Sequence, residues 1–109
     1  MTTGLCLLYM TAPDAGEARR IGDVLVAERL AACVNIIPGM TSIYRWRGEV
    51  RHGAECVLIA KTRAELVERA TARVRALHSD DCPCVVALPV TGGNPDFLSW
   101  IVEETTESS

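Results

Sequence analysis

The residues of this chain with the most reactive side chains lie close together, in His78-Ser-Asp-Asp-Cys-Pro-Cys84. Cys82 precedes Cys84 by two positions, so an extended backbone would turn both thiols to one side. Imidazole and thiolate are metal ligands, yet a Cys-x-Cys with one histidine lacks the paired C-x-x-C spacing of a structural zinc site. The plainer reading makes Cys84 filler at a strand end and His78 the cap of a helix C-terminus, where a cation is favoured.

Two further groups are candidates for binding. Tyr44-Arg45-Trp46-Arg47 is an aromatic and basic cluster that could stack a base, although in an acidic protein with a single such patch an oligomer contact fits better. Thr91-Gly-Gly-Asn-Pro95 precedes a helix and could offer backbone N–H groups to a phosphate; a glycine pair before an N-cap is more commonly just a turn. Catalysis has little support. His52 and His78 are far apart in sequence, no G-x-S-x-G pattern occurs, and the carboxylates sit mainly on helix faces. Cys33 has apolar flanks that argue for an inert thiol. A non-enzyme is expected.

Composition sets the frame for these groups. The chain has 109 residues, 49% of them hydrophobic, and a formal charge of −3, which fits one domain spanning 1–109 with a real core. No global basic field is available to hold nucleic acid or anionic lipid. Leu5–Met10 is apolar for about one strand's length with no basic stretch before it, unlike a secretory signal, and the apolar runs fall short of the ~20 residues that span a bilayer. Five cysteines, an odd count, fit a reducing cytoplasm. A soluble cytoplasmic protein without nucleic-acid or membrane partners is expected.

The elements that must position the candidate groups can be read in order. Leu5–Thr11 is a buried strand, ended by Pro13. Asp14-Ala-Gly-Glu17 has capping-box spacing and opens a helix with Ala18, Ile21 and Leu25 on one face, expected to end near Leu30. Ala31–Lys61 reads as a long hairpin turning at Arg47–Gly48, with Trp46 opposite Glu49, Tyr44 opposite Arg51, Ile43 opposite His52 and Asn35 opposite about Ala60. Pro38–Gly39 marks a bulge or bend. Arms this long reach roughly 40 Å, so the outer half should project beyond its own core. Thr62-Arg-Ala-Glu65 has capping-box spacing before a helix with Leu66, Ala70, Val74 and Leu77 inward. Cys84–Val90 is another strand, and Asn94 opens a short helix with Phe97, Trp100 and Ile101 inward; residues 103–109 are expected to fray.

That order, β-α-β-β-α-β plus a terminal helix, predicts an α+β, ferredoxin-like fold with an antiparallel sheet and both helices on one face. The other face keeps apolar residues with nothing left in the chain to cover them, so a closed homo-oligomer is expected.

With these segments in place, the chain resembles the CutA family, the divalent-cation tolerance proteins. Thr11-Ala-Pro13, Glu28-Arg-Leu-Ala-Ala-Cys-Val-Asn35, Ile43-Tyr-Arg-Trp-Arg-Gly-Glu49, Leu88-Pro-Val-Thr91 and Phe97-Leu-Ser-Trp-Ile101 carry the resemblance, over about Leu5 to Glu103. It implies a homotrimer with the sheets packed inside, a relationship to PII-type signalling trimers, and a link to copper or another divalent cation. It implies that Met10, His78 and Cys84 approach one another near a cleft between subunits. Thioether, imidazole and thiolate together favour Cu(I) over Cu(II) or calcium-like ions. It also implies that Lys61, Tyr44 and Trp46 line that cleft, where Lys61 could hold a small anion. The chain departs from the family pattern at Met10, where members often carry Cys, and at Asp80 and Cys84, where they often carry an aromatic residue and Glu. The expected function is thus metal binding near inter-subunit clefts in divalent-cation tolerance. The alternatives are a PII-like regulatory trimer that binds a small anionic effector, or a protein-anchoring scaffold.

Overall fold

The computed structural model of the chain describes residues 3–107. Four strands and three helices follow one another: β1 (Leu5–Ala12), α1 (Ala15–Ala27), β2 (Cys33–Trp46), β3 (Glu49–Arg63), α2 (Val67–Leu77), β4 (Val85–Pro89) and α3 (Pro95–Glu104), with a 3₁₀ turn at Ala64–Leu66 leading into α2. The strands form one antiparallel sheet in the order β2-β3-β1-β4. This is the expected α+β, ferredoxin-like arrangement.

Strand alternation explains where the core lies. In β1 the even residues Cys6, Leu8, Met10 and Ala12 are buried, and β3 sets Ala60, Leu58 and Cys56 beside the last three of them. Ala18, Ile21 and Leu25 of α1 and Ala70 and Val74 of α2 close over this face. Burying a whole aliphatic side chain such as Leu8 or Leu58 stabilises the fold by about 2 kcal/mol each. The opposite face takes the odd residues of β1: Leu7 faces Leu88, and Tyr9 lies between Ile59 and Val86. α3 packs Ile101 onto Leu5 and Ala32 at one end of that face. The rest is open, with Ile37 51%, Val86 51% and Leu88 46% exposed.

The hairpin turns at Arg47 (φ 51°) and Gly48 (φ 79°), two successive left-handed residues, as a two-residue hairpin turn of the I′ kind requires. Trp46–Glu49, Tyr44–Arg51 and Ile43–His52 pair as expected. Between the Ile37–Val57 and Met40–Glu55 pairs, β2 has two residues, Pro38 and Gly39, where β3 has only Cys56. This bulge shifts the register by one, so Asn35 pairs with Ile59, where an uninterrupted hairpin would give Ala60. The shift also changes which residues share a face. Beyond it, Tyr44 and Trp46 lie on the same side of the sheet as Asn35 and Lys61, by alternation. The chain's longest dimension is 46 Å, against 28 and 23 Å for the others.

Several local expectations are corrected. α1 ends at Ala27, three residues before Leu30, in a Schellman motif: Leu30 N–H bonds Leu25 C=O (2.9 Å), Arg29 N–H bonds Val26 C=O (3.1 Å), and Arg29 takes φ 58°. Asp14 does cap α1, accepting from Glu17 N–H at 2.8 Å, but the Glu17 carboxylate bonds Ser79 instead of completing a capping box. Thr62 caps no helix; it lies within β3, fully buried, and donates to Leu30 C=O. Phe97 and Trp100 are not inward: they lie exposed on α3 with their rings 5.4 Å apart, and only Ile101 of the three is buried. Of the tail expected to fray from 103, residues 108–109 lie outside the described residues, and the part before them is ordered further than expected. Glu103 and Glu104 are helical, and Thr105 is buried, accepting from Arg63 at both its hydroxyl and its carbonyl.

Candidate functional site

His78 ends α2 as its C-cap, and its side chain is 1% exposed. Nε2 lies 2.8 Å from Thr11 C=O, so that nitrogen carries the proton and donates. Nδ1 is then the lone pair that accepts from Asp80 N–H at 3.0 Å, with Glu17 Oε2 3.4 Å away. Glu17 in turn accepts from the backbone N–H and hydroxyl of Ser79, both at 3.0 Å. Both imidazole nitrogens are therefore engaged in locking the loop after α2 onto β1 and α1. Nothing in the sequence marked Glu17 for this role beyond its place in the first turn of α1.

Met10 is 1% exposed and belongs to the core between the sheet and its helices. Cys84 lies just before β4, and the β1–β4 register continued by one step sets it beside Thr11. That is the open face, the side opposite to Met10. Burial pushes the Cys84 thiol up, the Thr11 hydrogen bond opposes this, and the Glu55 carboxylate adds to it. So Met10 and His78 lie on the helix side and Cys84 on the open side. Within one chain the three do not converge, and the histidine nitrogens are occupied. The residues do not fit a metal as a single-chain trio. Among the described residues no group of three His, Cys, Asp or Glu side chains is placed to hold an ion. Cys82 is exposed in the loop.

Lys61 occupies the open face on β3, between Cys33 of β2 and Leu7 of β1. Its ammonium donates to Asn35 Oδ1, and among the described residues no carboxylate lies within 4.0 Å of it. Tyr44 and Trp46 share that face, but Arg51, the partner of Tyr44, lies roughly 33 Å along β3 from Lys61 at about 3.3 Å per residue. One chain cannot line a single cleft with all three. Trp46 carries the Arg47 guanidinium over its ring at 5.7 Å, and Tyr44 and Trp46 are both exposed.

The family model described as CutA1 divalent ion tolerance protein matches residues 6–104. The divalent-cation tolerance protein CutA of Thermus thermophilus is 48% identical over 91% of this chain and 96% of its own length. The chloroplastic protein CutA 1 of Oryza sativa is 44% identical over 94% of this chain, which spans 58% of that longer protein. Among solved structures, CutA1 from Oryza sativa superimposes with a TM-score of 0.93 at 43% identity, covering 98% of each chain. CutA from Xylella fastidiosa gives 0.92 at 42%, covering 94% of this chain and 99% of that one.

Proposed function

The chain belongs to the CutA1 divalent ion tolerance family, and from that membership we propose that it serves divalent-cation tolerance as a homotrimer assembled through its open sheet face. Cations, copper among them, are held by donors that two subunits contribute at a cleft. The observation that carries this reading is the distribution of the binding groups. Cys84, Lys61, Tyr44 and Trp46 all lie toward the open apolar face, yet no single chain gathers them. A second copy laid on that face covers Ile37, Val86 and Leu88 and brings one subunit's hairpin to another's Lys61. Cys84, with Glu55 near it, is the soft donor this reading places at the junction. The five unbridged cysteines suit a reducing, cytoplasmic setting. No catalytic role is assigned.

Light scattering combined with Cu(I) competition against a chelator, under reducing conditions, tests this reading. Expected are a trimer mass and binding of about one ion per subunit, at least tenfold weaker in Cys84→Ser. A monomer mass, or binding unchanged in that variant, overturns it.

Lys61 favours a second reading. A lysine that donates to an amide oxygen and has no carboxylate partner among the described residues, in the middle of an apolar face, is a cation able to hold an anion. In a PII-like trimer it would hold a small anionic effector, and the link to metals would be indirect. A thermal-shift series with small carboxylates separates the two, since a ligand of the native state raises its stability by mass action. Lys61→Met abolishes the shift in this reading and leaves Cu(I) binding intact.

A further inference from the structure

Where β3 runs out, the ends of α1, α2 and α3 enclose a cavity of about 310 Å³ lined by Glu28, Arg29, Arg63, Leu66, Arg69 and Thr105, with Thr106 and Glu107 beside them. Three arginines line it, Arg29 from the turn after α1, Arg63 from the end of β3 and Arg69 from α2. Arg63 is held in place by Thr105, donating from Nε to the hydroxyl at 3.0 Å and from a terminal nitrogen to the carbonyl at 2.7 Å. It also pairs with Glu65. Arg29 donates to Glu104 C=O at 3.2 Å and lies 3.7 Å from that residue's carboxylate. Its backbone is left-handed at φ 58°, a conformation that favours glycine. Arg69, in the first turn of α2, has no ion-pair or hydrogen-bond partner for its guanidinium among the described residues.

Charge alone does not define a site here. Glu65 and Glu104 partner Arg63 and Arg29 from outside the cavity, and Glu28 is bound to Arg73 through contacts of 3.0 and 3.2 Å, which hold its carboxyl below the usual range. What is left over is directional. A guanidinium has five N–H donors in a planar fork that matches a phosphate. Arg69 keeps all five, and the fixed Arg63 and Arg29 keep those that their partners do not take. Glu107 is the one carboxylate of the lining with no described ion-pair partner.

We propose that this cavity is an anion site for a phosphate group, gripped by Arg69 and backed by Arg63 and Arg29. The site stands apart from the open face and from the metal reading. It places a second, separate ligand on the same protein, at the junction of the helix ends. Glu107 competes for the same guanidiniums and sets a ceiling on the affinity.

Isothermal titration of the full chain with inorganic phosphate and pyrophosphate, at ionic strength fixed with chloride, tests the proposal, with an adenosine monophosphate arm for phosphate esters and a succinate arm for carboxylates. Arg69→Gln removes a side chain without a structural partner, so folding is preserved, and circular dichroism checks this. Arg45→Gln on the distant hairpin is the control for general charge. Expected are saturable phosphate or phosphate-ester binding, at least tenfold weaker in Arg69→Gln, unchanged in Arg45→Gln and tighter in Glu107→Gln. Absence of binding above the chloride baseline, binding of succinate alone, or equal loss in the two arginine variants overturns the proposal.

Discussion

The hydroxyl of Thr62 donates to the carbonyl oxygen of Leu30 at 2.7 Å from a side chain that solvent does not reach. Leu30 is the residue that closes the Schellman motif of α1, and the neighbouring Ala32 N–H bonds Lys61 C=O at 2.8 Å. Together these contacts stitch the chain leaving α1 onto the end of β3. Thr62→Val keeps the shape but leaves a buried carbonyl without this partner, which costs about 1–3 kcal/mol. Denaturant unfolding at fixed protein concentration should show that loss, and Thr62→Ser should restore most of it. A Thr62→Val protein as stable as the parent would remove the bond from any structural role.

Arg47 sits at the first left-handed position of the hairpin turn, where asparagine is preferred. Its compensation is the cation–π contact with Trp46, worth about 0.5–1 kcal/mol at an exposed site. Relief of a left-handed arginine is of similar or greater size, about 1–2 kcal/mol. Arg47→Asn should therefore raise the thermal midpoint slightly. A clear decrease would show that the tip contact outweighs the backbone strain.

These two turns also show what sequence could and could not disclose. Alternation, the Arg47–Gly48 break and the Pro38–Gly39 dipeptide are local signals, and they located the hairpin, its pairing near the tip and its irregularity. The extra residue of the bulge changed the pairing of Asn35 by one position, and only the counted register shows this. The left-handed Arg29 was invisible because arginine has no preference for that conformation, so α1 was expected to run on. Thr62 and Glu17 matched cap spacings, but tertiary partners claimed both side chains. For the site, the separation of Met10 from Cys84 follows from β1–β4 register, a non-local pairing no single segment encodes. The arginine cluster brings Arg29 to Arg63 and Arg69 from a distant part of the chain and had no sequence signature at all.

The thiols give the chain a pH dependence of definite sign. Burial pushes both Cys6 and Cys84 above the ordinary thiol value of 9.0. A group that holds its proton more tightly when folded contributes stability that is fully present below its unfolded value and is lost as pH rises through its folded value. Stability should therefore fall above about pH 9, and Cys6→Ala should flatten part of that decline. In alkylation followed by mass spectrometry at pH 8, the exposed Cys82 should react well before Cys6 and Cys84. Rapid modification of Cys84 at that pH would place its thiol in open water, against the burial described.

Leu88 bears on the assembly most directly. It is half exposed on β4 beside Leu7, in a face that includes Tyr9, Ile59, Val86 and Ile37. In a monomer, a charge at this position meets solvent and changes stability by no more than about 0.5 kcal/mol. In an oligomer closed through this face, the same charge is buried without a partner, which costs several kcal/mol per subunit. Leu88→Glu thus separates the two states by magnitude. Light scattering at micromolar concentration should show the variant shifted from trimer toward monomer, with far-ultraviolet circular dichroism retained. A Leu88→Glu protein that keeps the parent's mass would mean that this face stays in water, and the shared cleft at Lys61 and Cys84 would have no second subunit to complete it.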